Sequence, residues 1–248
     1  MKLPFSLSLL CLTVLGLVLP MKAQDRTPVD RLITDLGRYC NRATEVSYRS
    51  QAIASSDGTR RVHIEGTLRK IIDPESTLRE SDSDGYCYGN VVETVSAEVF
   101  IDGQRDTFKL LDEPYSEGYW ILEALSLSAD NRYLAAKTHI VYGGLSHEVS
   151  VAFFDLEAEE AVSLREVCTS EFNSDYDYTS HGGFLTPTTA VVLCSVFNSR
   201  TDARMEWYEA VDLASETSRV LSGKPDNLQD YGTVVGELEV TQVQEFKF

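Results

Sequence analysis

By type and spacing, three groups of side chains in this 248-residue chain could do chemistry: an acidic loop, four scattered histidines, and the cysteines. In "ESDSDGYCYG", Glu80 to Gly89, the order of Asp82, Asp84 and Gly85 follows the first half of a calcium-binding loop. Calcium needs several oxygen ligands converging on one point, usually closed by a bidentate acid at the twelfth position. Counting from Glu80 that position is Val91, with Glu93 nearby. The pattern admits calcium at Asp82 and Asp84; the plainer reading is a solvated acidic loop tethered by Cys87.

Nucleophilic catalysis requires a serine or cysteine at a sharp turn with a histidine and an acid near it in space. "GGLSHE" has Glu148 where a nucleophile elbow needs its second glycine, and "SHGGF" around His181 shares only a short likeness with the oxyanion loop of esterases. His63, His139 and His147 fall in strands or beside turns, the usual setting of hydrogen-bonded structural histidines. Paired carboxylates carry no signal in a chain with 39 acidic residues, where chance pairs are many. Phosphate loops, Gly-rich dinucleotide turns and haem motifs are missing from the sequence. No catalytic residue and no cofactor is assigned.

The elements that must hold these residues follow from the chain's ends, charge and periodicity. Residues 1–23 read as a secretory signal peptide: Lys2, an apolar run from Leu7 to Leu19 too short to span a bilayer, Pro20, and Ala23 at the cleavage position. No later segment is apolar enough to insert. The expected location is therefore secreted or periplasmic. Cleavage would remove Lys2 and Lys22 and leave 39 acids against 20 bases, a formal charge of −19. Such a surface repels nucleic acid and anionic lipid.

Four cysteines remain: Cys40, Cys87, Cys168 and Cys194. An even number in an exported chain implies two disulfides, and of the three pairings we expect the one nearest in sequence, Cys40–Cys87 and Cys168–Cys194. Zinc is disfavoured, because no C-x-x-C and no histidine stands at ligand spacing.

"TPVDRLITDLGRYCNRA" predicts one helix over about 27–42, with Thr27 as cap, Pro28 in the first turn, and Val29, Leu32, Ile33 and Leu36 on one face. After residue 43 the period becomes two and turn residues recur at short intervals. This is the mark of an antiparallel all-β domain. Val62, Ile64 and Leu68 share one face of a half-buried strand, whereas "TAVVLCSVF", 189–197, is apolar on both faces and reads as a central one. "FIDGQRDTFKLL", "FFDLEAEEAVSL" and "AVDLASETSRVL" share an apolar residue, an aspartate and a closing leucine. Each predicts a hairpin in which Asp102, Asp155 or Asp212 accepts backbone N–H groups of the turn that follows.

"LSADNRYLAA" followed by "FFDLEAEEAVSL" resembles a blade of the WD40-like repeats in TolB-type β-propellers, most clearly over residues 119–164. The resemblance implies blade-like four-stranded meanders, with units at about 44–111, 119–167 and 183–222 and a C-terminal strand at 232–247. A closed ring usually has 4–8 blades; closure is left open, and a β-sandwich is the alternative. The functional expectation is a single exported, non-enzymatic binding or interaction module. Loops 73–90 and 170–183, the latter with Tyr176 and Tyr178, would present acidic and aromatic groups to a protein or carbohydrate. The alternative is an extracytoplasmic hydrolase using loop acids. It would show a cleft where acids, or an acid and a histidine, converge; a binding module would show a shallow face.

Overall fold

The computed structural model describes Leu32 and residues 43–72, 90–102, 104–106, 119–142, 146–164, 167–168, 176–198, 201 and 203–246. Among the described residues the regular structure is antiparallel strand, apart from helical Leu32. The first sheet holds β1 (Ala43–Arg49), β2 (Ala52–Ala54), β3 (Arg61–Ile72), β4 (Asn90–Ile101) and β5 (Gln104–Asp106). The second runs in chain order through β6 (Tyr119–Leu127), β7 (Tyr133–Tyr142), β8 (Ser146–Asp155) and β9 (Glu160–Ala161). The third repeats that order with β10 (Tyr176–Thr186), β11 (Thr189–Asn198), β12 (Ala203–Asp212) and β13 (Thr217–Leu221). Finally β14 (Thr233–Val235) and β15 (Glu239–Phe246) return to the first sheet, pairing with β2 and β1.

Alternation decides which faces are buried. In β3, Val62 and Ile64 are fully buried while His63 and Glu65, which alternate with them, stay partly exposed. β7 is the exception, and its position explains why. Leu134 and Ala136 pack with Ile53, Val62, Ile64 and Val99 of the first sheet, whereas Tyr133 and Ala135 pack with Phe184, Val192 and Val211 of the third. The second sheet therefore lies between the other two, and both its faces are core. β11 has the same two-sided burial, with Val191 and Val192 fully buried.

Two hairpins are built alike. Between β2 and β3, Ser55 Oγ donates to Asp57 Oδ1 at 2.6 Å and accepts from Arg60 N at 2.8 Å; between β6 and β7, Ser128 Oγ donates to Asp130 Oδ1 at 2.5 Å and accepts from Tyr133 N at 2.9 Å. Gly58 and Asn131 occupy the same place in each turn, with φ of 70° and 61°, a region that Gly and Asn adopt most readily.

Sheets are also tied to one another by polar contacts. Fully buried Tyr48 accepts Leu122 N–H at 2.9 Å, Gln51 donates to Ala124 O at 2.8 Å, and Val151 N–H of β8 donates to Thr179 Oγ1 of β10 at 3.1 Å. A strap then crosses the inner strands in turn. Gln229 exchanges two backbone hydrogen bonds with Phe184 of β10, and Tyr231 O accepts Leu127 N–H of β6, before β14 joins β2. Gly183 and Gly232, with φ of 120° and 93°, make this close passage possible. A Cβ on Gly232 would lie 2.5 Å from Ile53 Cγ2 and 2.8 Å from Ala54 O.

Some expectations fall elsewhere. The helix over 27–42 and the loop around Asp82 and Asp84 lie outside the described residues, except that Leu32 is buried against Val46, Tyr48, Leu68, Ile121 and Leu238. The segment read as an acidic loop up to Gly183 is strand from Tyr176 onward, because it pairs in register with β11 and carries the strand-favouring Tyr176, Tyr178 and Thr179.

Candidate functional site

The three hairpin aspartates stand at comparable places: Asp155 and Asp212 end their strands opposite the first residue of the neighbouring one, and Asp102 directly follows β4, beside the first residue of β3. Asp155 faces Tyr133, Asp212 faces Thr189, and Asp102 exchanges hydrogen bonds with Arg61. Their bonding differs. Asp155 accepts Glu157 and Ala158 N–H at 3.0 and 3.1 Å, and Asp212 accepts Ala214 and Ser215 N–H at 3.1 and 3.0 Å. Asp102 instead accepts Arg61 N–H at 2.7 Å, from the facing strand. The Arg132 guanidinium grips both Asp155 oxygens, at 2.6–3.1 Å, and helps hold that carboxyl below its usual range against the opposing effect of burial. These are structural aspartates.

Cys168 and Cys194 form a disulfide, as their spacing predicted; Cys40 and Cys87 lie outside the described residues. Buried Glu209 sits beside the bridge and accepts from Trp207 Nε1 and Ser218 Oγ, both at 2.8 Å. Among the described residues, Cys168, Cys194 and Glu209 form the group close enough to share a metal ion, but the sulfurs are bonded to each other. A disulfide is compatible with an extracytoplasmic location.

The histidines separate into two classes. His63 stacks on Phe100 at 5.0 Å and meets Glu65 at 3.2 Å; burial pushes its pKa down. His139 is buried against Glu123. Both fit the structural role expected of them. His147 lies in β8. His181 differs, because its imidazole enters a pocket between the second and third sheets.

That pocket has a volume of about 250 Å³ and is lined by Leu125, Ser126, Lys137, Ser150, Ser180, His181 and Asp230. Two irregularities aim its key groups. The ladder between β6 and β7 skips at Leu125, between the Ala124 and Ser126 pairs, and the ladder between β10 and β11 skips at Gly182, just after His181. Bulges of this kind re-aim a side chain that regular alternation would send elsewhere. Asp230 arrives on the strap.

His181 is 5% exposed at its side chain and packs edge-on against Phe184 and Phe153, with ring centroids 5.1 and 5.7 Å away. Its Nε2 lies 2.9 Å from Ser126 Oγ and 2.8 Å from Asp230 Oδ1. Nδ1 is buried without a hydrogen-bond partner. The His181 hydrogen bond, with help from His181 charge, Ser126 and Lys224, holds the Asp230 carboxyl below its usual range; desolvation opposes the shift.

Serine, histidine and acid thus meet in one cleft, but not as a relay. A relay needs the acid on one ring nitrogen and the serine on the other, so that the imidazole can take the serine proton. Here both partners share Nε2. An ionised Asp230 only accepts hydrogen bonds, so Nε2 carries hydrogen and has no lone pair to offer Ser126. The arrangement fixes a polar wall rather than activating a nucleophile.

Of these residues sequence reasoning singled out His181 alone. The adjacent glycines of "SHGGF" were the readable sign of a bulge. Scans against protein-family models, curated proteins and solved structures return no match for this chain.

Proposed function

We propose that this protein is an exported, non-enzymatic binding module whose ligand seat is the pocket between the second and third sheets. The observation that carries the reading is the convergence of Ser126 and Asp230 on a single nitrogen of His181, in a pocket that Lys137 also lines. Ligand sites are concave, with a few placed polar groups that fix orientation. Two bulges and a glycine-hinged strap converge on this one. A cleft in which an acid and a histidine converge is the surface expected of the hydrolase and not the shallow face expected of a binding module. The binding reading is kept because both partners use Nε2, and the volume of about 250 Å³ suits a small molecule better than a protein loop.

The resemblance to TolB-type blades belongs to the same proposal. Its support is the shared Ser-x-Asp hairpin of the first two sheets and the comparable placing of Asp102, Asp155 and Asp212. Export is proposed from the apolar N-terminal sequence and the Cys168–Cys194 bridge.

A second reading, a hydrolase, is favoured by the bare composition of the cluster. A fluorophosphonate probe separates the two. The binding reading expects the folded protein to take no more label than S126A, which has no serine at that position; covalent labelling at Ser126 would establish the hydrolase and end the binding proposal.

A further inference from the structure

Beside the Cys168–Cys194 bridge stands a carboxylate that the bridge does not need. Glu209 is 4% exposed, and among the described residues no cationic side chain pairs with it. A disulfide is an uncharged crosslink, so it does nothing to offset the cost of taking a charged group out of water. Each Glu209 oxygen accepts one hydrogen bond, Oε1 from Trp207 Nε1 and Oε2 from Ser218 Oγ, both at 2.8 Å. The two donors orient the group and leave each oxygen a further lone pair.

Sheet register brings this carboxylate to the sulfurs. In the β11–β12 ladder Cys194 faces Trp207 and Val192 faces Glu209, so Glu209 is a diagonal neighbour of Cys194 on the face turned toward the second sheet. Cys168 reaches the same place from a turn, with φ of 60°. One ligand atom from each of the three residues lies within 4.8 Å of the other two. Chain spacing argued against zinc because the sequence has no C-x-x-C; the ladder supplies a closeness that spacing does not show.

Opening the bridge changes what this group can hold. A dithiol delivers two electrons and two protons, closing its own disulfide as Cys168 and Cys194 become thiols. A divalent ion then displaces the two thiol protons to solvent, and two thiolates and one carboxylate surround it. Glu209, without a counter-charge beside the closed bridge, gains one. Two sulfurs among three ligands select a borderline-soft ion, zinc or cadmium, over calcium or magnesium. With Zn–S bonds of about 2.3 Å in a tetrahedron the sulfurs stand about 3.8 Å apart, within reach of two cysteines whose Cα atoms are 5.3 Å apart.

We infer that the reduced form of this bridge is a zinc site, held by Sγ of Cys168 and Cys194 and by the Glu209 carboxylate, with water as the fourth ligand. Oxidation and metal binding exclude one another, since the same two sulfurs serve both. The site shares no residue with the pocket at His181.

The test is cadmium titration of the full chain, read by the ultraviolet charge-transfer band from thiolate to metal, with zinc affinity taken from competition against a chromophoric chelator. Cys40 and Cys87 are present throughout, and the double variant Cys168→Ser/Cys194→Ser measures what they contribute. After reduction by an immobilised dithiol, removed before metal is added, the chain should bind one cadmium more than the double variant. The oxidised chain should bind no more than the double variant does. Glu209→Gln, which keeps the side chain's size and an acceptor oxygen, should weaken zinc at least about tenfold. Zinc should raise the melting temperature of the reduced chain and leave that of the oxidised chain unmoved. Equal cadmium uptake by the reduced chain and the double variant overturns the site, as does equal uptake by the reduced and oxidised chains. A zinc affinity that Glu209→Gln leaves unchanged overturns it too, and that is the result metal capture by an unfolded reduced chain would give.

Discussion

Substituting Gly232 by alanine should destabilise the protein far more than the same change at Gly236, and the difference isolates what the strap requires. Both glycines have positive φ, 93° and 81°. A side chain in that region costs about 1–2 kcal/mol wherever it occurs. At Gly236 nothing lies within 4 Å of the new Cβ, so that strain is the whole effect. At Gly232 the Cβ meets Ile53 Cγ2 at 2.5 Å and Ala54 O at 2.8 Å. The carbonyl belongs to β2, already paired with β14 and β3, and cannot yield without breaking ladder bonds. Overpacking of this kind adds about 1–3 kcal/mol, for a total of about 2–5 kcal/mol. In urea, with a slope of about 2 kcal/mol per molar, Gly232→Ala should lower the midpoint by about 1–2.5 M and Gly236→Ala by about 0.5–1 M. Equal shifts would refute the reasoning, since only the contacts of the strap distinguish the two sites.

Other perturbations probe other parts of the molecule. Replacing Cys168 and Cys194 together by serine should cost about 3–4 kcal/mol for a bridge spanning 26 residues, measured by urea denaturation of the double variant. Ser55→Ala and Ser128→Ala should each cost about 1 kcal/mol and match one another, because each removes the same hydroxyl bridge within its turn; unequal midpoints would contradict their equivalence. The Asp230 carboxyl is held below its unfolded value by His181, so its contribution is present above about pH 4 and is lost as pH falls through the lower folded value. Asp230→Asn should therefore remove part of the acid limb of the stability curve, by under about 1 kcal/mol given solvent screening at this exposed group. Phe154→Ala, at a fully buried ring between the first and second sheets, should cost about 3–5 kcal/mol in the same assay.

The strands were legible because burial leaves a period in the sequence. Val62, Ile64 and Leu68 announced β3, and the apolar run from Ala190 to Cys194 announced a strand enclosed within its sheet. The Cys168–Cys194 pair was legible from its spacing. The pocket was hidden for a physical reason. Ser126 and His181 are 55 residues apart, and His181 and Asp230 are 49 apart. What brings them together is register, and one skipped residue moves a side chain to the other face of a sheet. The bulge at Leu125 has no distinctive residue, whereas the one at Gly182 sits in a glycine pair. Tyr176 and Tyr178 looked like loop residues because acidic neighbours precede them, yet pairing with β11 makes them strand. Asp230 could not be foreseen from its own neighbourhood, since its role depends on a strap that crosses two sheets.

The binding reading stands or falls on which nitrogen of His181 carries hydrogen. A long-range nitrogen–proton correlation spectrum of the imidazole, assigned by comparison with H181Q, measures this at neutral pH. We expect Nε2 to carry hydrogen toward Asp230. A proton on Nδ1 with Nε2 bare toward Ser126 would contradict that reading and make Ser126 a nucleophile with its base in place.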